Sequence, residues 1–403
     1  MSLMPVAEAL ETVLSGVMTL GPEQAGIRFA LGRTLAQNLS AAVTHPPFDA
    51  SAMDGYAVRA IDCTAPSVRL KLAGESAAGW PYGGTVRPGE AIRIFTGASL
   101  PDGADAIVIQ EDTKSDGVHV ELKDLPKKGD NIRFRGQDFH EGDVVLKRGQ
   151  MLNARDILLA AASGHAMLAL TRRPIVAILA TGDELVEPSD RPTAGQIIAS
   201  NSYGIAALVE AAGGTAKLLG IAMDTASDLA SKIKEAEGAD ILVTIGGASV
   251  GDHDLVRPAL EASGAHLQFY KIAMRPGKPT FFGTRSSPSG LQRILGLPGN
   301  PLSAMISARL FLVPLIAKML GRSTQPQTLT AELTAPIGKN GIRDHYMRAT
   351  LDSSSTPLRI TPLSNQDSSL VTILAVANAL IIVPANSDAL PAGSRVNVMP
   401  LDF

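Results

Sequence analysis

The stretch Thr244-Ile245-Gly246-Gly247-Ala248-Ser249-Val250-Gly251-Asp252-His253-Asp254 carries the densest chemistry in the chain. It follows the apolar run Ile241-Leu242-Val243, which reads as a buried strand. Two adjacent glycines let the backbone turn sharply and approach a ligand. Ser249 adds a hydroxyl, and Asp252 and Asp254 add hard oxygens. A strand ending in glycine, hydroxyl and acid suits a phosphate held together with Mg²⁺. In isolation the same stretch also reads as a tight strand-to-helix turn with Asp252 as the N-cap.

Three similar strand ends lie nearby. One gives Thr181-Gly182-Asp183-Glu184, another Asp224, and a third Gly296-Leu297-Pro298-Gly299-Asn300-Pro301. Met274-Arg275-Pro276-Gly277-Lys278-Pro279 places two cations around a Pro-Gly turn, aimed either at one oxyanion or simply at solvent. Pro298 and Pro301 leave their loop few conformations to lose on binding, and Pro301 opens the next helix. Several acids beside Arg275 and Lys278 suit a cation plus an anionic ligand. A further cluster, residues 46–57, includes Asp54, Gly55 and Tyr56 in an irregular loop that suggests a recognition surface. Thr96-Gly97-Ala98 presents a hydroxyl and bare backbone, and Arg133, Arg135 and Asp138 add charge; simple turns account for these equally well.

Elements that would position these groups follow from the pattern. Residues 173–325 alternate strand and helix, with strands at 175–180, 218–223, 241–245 and 294–297 and helices at 202–212, 227–237, 255–262 and 301–320. That alternation predicts a parallel, doubly wound sheet covered on both faces, with ligands beyond the C-terminal strand ends. Residues 41–136 are short β-type runs punctuated by Gly and Pro, which predicts a small β-rich domain. It is inserted into a discontinuous domain of residues 1–40 and 137–172. Residues 1–40 read as helical from Val6, Leu10, Val13, Leu14, Val17 and Met18, and the first helix is expected against the α/β domain. Residues 326–403 return to β-rich sequence.

Composition narrows the function classes. The chain has 403 residues, 45% hydrophobic and 19% charged, ordinary for a globular protein of several domains. A net charge of −3 and few aromatics argue against nucleic-acid binding. A single cysteine, Cys63, excludes an intramolecular disulfide and a cysteine-built metal site, and it reads as a packed small residue. The histidines form no Ser/His/Asp arrangement. No basic region precedes an apolar core at the N-terminus, so no signal peptide is expected. The apolar run 302–320 contains Arg309, Pro314 and Lys318, which favours a buried helix over a membrane span. The cytoplasm is the expected compartment.

Taken in order, SAMDGYAV (51–58), FTGA (95–98), TGDEL (181–185), TIGGASVGDHD (244–254), RPGKP (275–279) and LPGNP (297–301) resemble the molybdopterin molybdenumtransferase family, the MoeA-type enzymes and the C-terminal domain of gephyrin. The resemblance spans essentially the whole chain. It implies a central molybdopterin-binding α/β domain, an N-terminal β-rich insertion and a small β-barrel-like C-terminal domain. It also implies insertion of molybdenum from molybdate into adenylylated molybdopterin, with release of AMP and help from Mg²⁺. Since the chain offers no thiolate ligands, the sulfur for molybdenum comes from the pterin dithiolene and the protein supplies cations for the oxyanion.

Residue by residue, the resemblance implies catalytic roles for Asp54, Glu184, Asp224, Asp252 and Lys278, with Asp252 and Glu184 toward the metal. Gly246, Gly247 and Ser249 would cradle the pterin phosphate, near Pro298 and Pro301. Arg275, Ser303, Arg348 and Ser368 would join Lys278 around molybdate. Thr96, Arg133 and Asp138 match further family positions. Arg275 stands where the family often has lysine, and Asp367 precedes Ser368 where glycine is frequent. A homodimer is implied, with Asp54 serving the partner's nucleotide. Contacts with a molybdopterin adenylyltransferase and with apo-molybdoenzymes are implied as well. The alternatives are a molybdopterin adenylyltransferase and a non-enzymatic dimeric scaffold.

Overall fold

The computed structural model describes residues 3–247, 255–288 and 290–401. The chain forms two compact units. One comprises Met1–Glu23, Gly32–Ala36 and Thr171–Phe403; the other comprises Gln24–Leu31 and Gln37–Leu170.

The larger unit is built on a six-stranded sheet. Its strands are β1 (Ile175–Thr181), β2 (Thr215–Ala222), β3 (Ile241–Ile245), β4 (His266–Phe269), β5 (Phe281–Ser287) and β6 (Gly290–Leu297). The spatial order is β2-β1-β3-β6-β5-β4. Pairings among β2, β1, β3 and β6 are parallel, as the strand–helix alternation predicts. The β5 and β4 strands add an antiparallel edge, so the sheet is mixed rather than wholly parallel. Helices α1 (Ser200–Ala211), α2 (Ala226–Glu235), α3 (Val256–Ala262) and α4 (Pro301–Met319) accompany these strands.

Both sheet faces are buried, which is why β1 and β3 read as continuous apolar runs. Val176 and Ile178 of β1 and Ile241 and Val243 of β3 join one core with Ile205 and Leu208 of α1 and Phe311 and Leu315 of α4. Ala177 and Leu179, one residue out of phase, join the opposite core with Leu229 and Ile233 of α2. Side chains alternate across a strand, so each run must supply both cores. Asp240, just before β3, pins the sheet's lower end: its carboxylate takes both Arg172 guanidinium nitrogens at 2.9 and 2.8 Å and the Ile175 N–H at 2.8 Å.

By length and composition α4 is apolar enough to cross a membrane, yet 83% of its most apolar window is buried inside the fold. Its middle, Ala308–Leu312, widens into a π turn directly before Pro314. Proline lacks an N–H, so the helical ladder is interrupted there. Among the described residues up to 40, only Val6–Leu14 is α-helix, where helix was expected throughout 1–40. Gly16, with φ of +62°, ends the periodic stretch and Pro22 begins a strand. Val6, Ala9 and Val13 pack into the core that contains Phe311, so this helix lies on the α/β sheet's face.

A second six-stranded sheet of the same unit runs Met274–Arg275, Asp344–Asp352, Arg359–Pro362, Leu329–Leu333, Arg395–Pro400, Ala379–Val383. Ala379–Val383 also pairs with Asp344–Asp352, closing the sheet into a small barrel. The Arg275 strand enters this barrel in register with His345, so the start of the basic loop is held by barrel backbone.

The smaller unit contains a six-stranded sheet in the order Ala106–Ile109, Gly55–Val58, Glu90–Ile94, Arg69–Ser76, His119–Leu122, Thr113–Ser115. Cys63 lies in its core, and burial, with Asp62 and Asp105 nearby, pushes the thiol up to about 11. It is a packing residue.

Candidate functional site

The order β2-β1-β3 reverses direction about β1, and a doubly wound sheet binds its ligands beyond the strand ends at such a point. A cleft of about 900 Å³ opens there. It is lined by Glu184, Asp224, Gly246, Gly247, Arg275, Lys278, Pro298, Pro301, Ser303 and Ser368, so ten of the proposed positions meet in one place. Ser249 and Asp252 lie outside the described residues.

Glycine is demanded at the end of β3. A Cβ on Gly246 would lie 2.6 Å from the Thr181 carbonyl oxygen, and one on Gly247 would lie 2.2 Å from Val256 Cγ2. Both have positive φ, +90° and +57°. Bare backbone is what lets the β1, β3 and β6 ends converge.

Two helix N-termini face the cleft. Ser200, Asn201 and Ser202 open α1, and Asn300, Pro301 and Ser303 open α4. Neither helix has a side-chain cap. The loops are tied instead to each other: Asn201 Nδ2 donates to Gly299 O at 2.6 Å, and Asn300 Nδ2 donates to Ser368 Oγ at 3.0 Å. At the α4 start Pro301 has no N–H and the Leu302 N–H donates to Ser368 O at 3.1 Å, so the α1 start is the one whose uncapped N–H groups favour an anion.

The acids gather at the β1 and β2 ends. Asp224 N–H donates to Asp183 Oδ1 at 2.9 Å. Partial burial, with Asp183 and Glu184 nearby, raises the Asp224 carboxyl above its usual range. Among the described residues no three His, Cys, Asp or Glu side chains form a metal cluster. Mg²⁺ typically takes one or two carboxylates plus phosphate oxygens. Glu184 and Asp224, whose mutual repulsion a cation would relieve, fit that requirement.

The cationic side is built by the barrel. Arg275, Lys278 and Arg343 line the cleft, with Gln366 and Asp367. Arg348 lies fully buried behind that wall, and its Nε and Nη2 have no hydrogen-bond partner. Its backbone is clamped, with Arg348 N–H donating to Gln366 Oε1 at 3.1 Å and Gln366 Nε2 returning to Arg348 O at 3.0 Å. Burial, together with Arg275, pulls the Arg348 guanidinium down to about 10. His345 is buried with an unpartnered Nε2, and burial, then Arg275, Arg348 and Arg343, depresses it to about 4. Asp367, pinned by the N–H and hydroxyl of Ser369 at 2.9 and 2.8 Å, is held below the usual carboxylate range by those bonds first and Arg348 last. It offsets part of the positive field. A buried guanidinium with free donors is costly unless an anion completes it, so the residues present fit an oxyanion.

The remaining positions lie in the smaller unit. Asp54 Oδ1 accepts the Thr96 N–H at 2.8 Å and the Thr96 hydroxyl at 2.7 Å, which lower the Asp54 carboxyl. Arg133 and Asp138 share a recess of about 350 Å³ with His45, Pro46 and Gln137. Sequence reasoning missed Arg343, Gln366 and the α1 start at Ser200–Ser202. The Arg-x-x-x-x-Arg spacing of 343 and 348 was visible, but nothing local distinguished that strand from other β-rich sequence.

Family models match almost the whole chain. The MoeA N-terminal region, domains I and II, covers residues 4–164; a probable molybdopterin binding domain covers 177–318; the MoeA C-terminal region, domain IV, covers 330–401. Fold and site thus define a three-part protein organised around a molybdopterin-binding type of α/β domain. Proteins named molybdopterin molybdenumtransferase are similar along its length. One from Nostoc sp. is 36% identical, covering 92% of this chain and 87% of the relative. One from Bacillus subtilis is 35% identical, covering 98% and 93%. A crystal structure of a molybdopterin biosynthesis MoeA protein from Pyrococcus horikosii is 30% identical with a TM-score of 0.86 and covers 100% of both chains. The chain belongs to the MoeA family.

Proposed function

We propose that this chain is an enzyme that inserts molybdenum into molybdopterin, taking adenylylated molybdopterin and molybdate and releasing AMP. The buried Arg348 guanidinium, with Nε and Nη2 unpartnered, beside a cleft already carrying Arg275, Lys278 and Arg343 carries this reading. It is an anion site in need of an anion. In this reading the anion is molybdate, in keeping with the names of the chain's relatives.

The roles divide by wall. Gly247, the α1 start and Gly299-Asn300 between Pro298 and Pro301 receive the pterin phosphate through backbone N–H groups; Gly246, whose own N–H donates to Leu297 O at 3.1 Å, gives the ligand room, and Ser249, outside the described residues, adds a hydroxyl. Arg275, Lys278, Ser303 and Ser368 surround molybdate, with Arg348 supplying charge from behind. Glu184, Asp224 and Asp252 would hold Mg²⁺, which when bound neutralises charge on the phosphoanhydride. Water or a molybdate oxygen attacks phosphorus, the anhydride P–O bond breaks and AMP leaves; the two pterin sulfurs then bond molybdenum while a Mo–O bond breaks and that oxide departs as water with the two thiol protons, molybdenum keeping its oxidation state. Asp54 serves the nucleotide of a second copy in a homodimer, the arrangement implied by the family resemblance, and Thr96, which holds the Asp54 carboxylate, with Arg133 and Asp138, belongs to the same small unit. The four-part domain division given above, a cytoplasmic setting, and contacts with a molybdopterin adenylyltransferase and apo-molybdoenzymes belong to the same reading.

The test is reconstitution. The purified chain is given adenylylated molybdopterin, Mg²⁺ and molybdate, and the product is offered to a molybdenum-free apo-molybdoenzyme. Activation dependent on molybdate supports the reading. A folded chain that binds the pterin but yields no activating product contradicts it.

A further inference from the structure

The cleft wall between Glu184 and Ser200 is not explained by anion chemistry. After β1 the chain makes an excursion in which Leu185–Val186 pairs in parallel with Ile197–Ile198. Residues 187–196, between the two, are polar or turn-forming (Glu, Pro, Ser, Asp, Arg, Pro, Thr, Ala, Gly, Gln). The four apolar side chains of this ribbon join neither core of the sheet. Leu185, Ile197 and Ile198 line the cleft instead, and Ile197 is 57% exposed.

The ribbon is held firmly for something that buries so little. Leu185 N–H donates to Gly182 O at 3.1 Å, Ile197 N–H to Glu184 O at 2.8 Å and Ala199 N–H to Val186 O at 2.9 Å. Tyr203 of α1 donates its hydroxyl to Glu187 Oε2 at 2.8 Å, fastening the excursion to the helix. Leu185 and Ile197 are register partners and so project from the same ribbon face. Ile197 is β-branched and loses little rotamer freedom on contact.

We infer that Leu185 and Ile197 form a preorganised apolar platform that takes a planar bicyclic heteroaromatic ring, a purine or a pteridine, in the same cleft that takes the anion. The inference rests on the proposed function, whose substrate carries both kinds of ring. An apolar shelf in reach of a phosphate and oxyanion site has one matching feature on such a ligand, its flat ring face. The ring covers exposed aliphatic surface that the fold itself leaves unburied.

Binding to the full-length chain tests this, with three probes: AMP, a 6-substituted pterin phosphate, and ribose 5-phosphate, which has a phosphate and no ring. The wild type is expected to bind at least one ring-bearing probe more tightly than ribose 5-phosphate. Ile197→Ala and Ile197→Thr should weaken that probe about tenfold and leave ribose 5-phosphate unchanged. Ile197→Thr keeps the β-branched strand residue, so a folding defect in one variant does not decide the matter. A loss confined to AMP assigns the platform to the purine, and a loss confined to the pterin phosphate assigns it to the pteridine. Equal binding of all probes by the wild type, or no loss in either folded variant, overturns the inference. Failure of the wild type to bind adenylylated molybdopterin at all is a separate result and overturns the proposed function instead.

Discussion

Gly246 sits so close to Thr181 that a side-chain carbon on it would lie 2.6 Å from the Thr181 carbonyl oxygen. The contact joins the ends of β1 and β3, and with φ of +90° it admits only glycine without strain. Gly246→Ala is expected to cost ~2 kcal/mol of stability and to lower turnover more than tenfold at temperatures where the variant is folded. Thermal unfolding and steady-state turnover measured together check both halves.

Arg348 has the opposite signature: it is fully buried with Nε and Nη2 unpartnered, and under the proposed function its burial serves ligand rather than fold. Replacing it with an apolar side chain of similar length removes a buried charge that Asp367 offsets only in part. Arg348→Met is expected to leave the ligand-free protein as stable as wild type, or about 1 kcal/mol more stable. The same variant should bind molybdate at least tenfold more weakly, because a charge-assisted hydrogen bond is lost. Calorimetric unfolding with and without molybdate separates the two effects.

His345 gives the stability profile an acid shoulder. Its native pKa of about 4 lies below the unfolded value near 6.5. Between those limits the unfolded chain binds the proton and the native chain does not, so stability falls as pH drops through that window. The contribution lost is up to ~3 kcal/mol. His345→Gln, which does not titrate, should flatten the profile between pH 6.5 and pH 4 relative to wild type. Thermal melts across that range check it.

Gln292 supports the sheet away from the cleft. Its amide donates to Ala236 O and Ala239 O, each at 2.8 Å, while its oxygen accepts from Arg285 Nε at 2.6 Å. Gln292→Leu strands all three groups and should cost ~3 kcal/mol. Turnover well below the melting temperature should stay near wild type, which makes this variant a control for Gly246→Ala.

The α/β sheet was legible because its buried strands must be apolar on both faces and its helices are closed by Gly213-Gly214 or opened by Pro301. The antiparallel edge was not. Phe281–Ser287 carries Thr284, Arg285 and Ser286, and Arg285 is buried only because Gln292 and the Ile233 carbonyl receive it. No local pattern announces such a partnership. The motif loops were readable as chemistry because glycine, proline and charge cluster there. Arg343 and the Ser200–Ser202 helix start were silent for the converse reason: their place in the cleft depends on barrel closure and on the ribbon, both set by distant pairings.

The most direct measurement counts AMP released from adenylylated molybdopterin by the purified chain with Mg²⁺, with and without molybdate, while following molybdenum bound to the pterin. The account predicts that molybdate raises AMP release and that one molybdenum is retained on the pterin for each AMP formed. AMP release that ignores molybdate, or a pterin that leaves the cleft without metal, would contradict it.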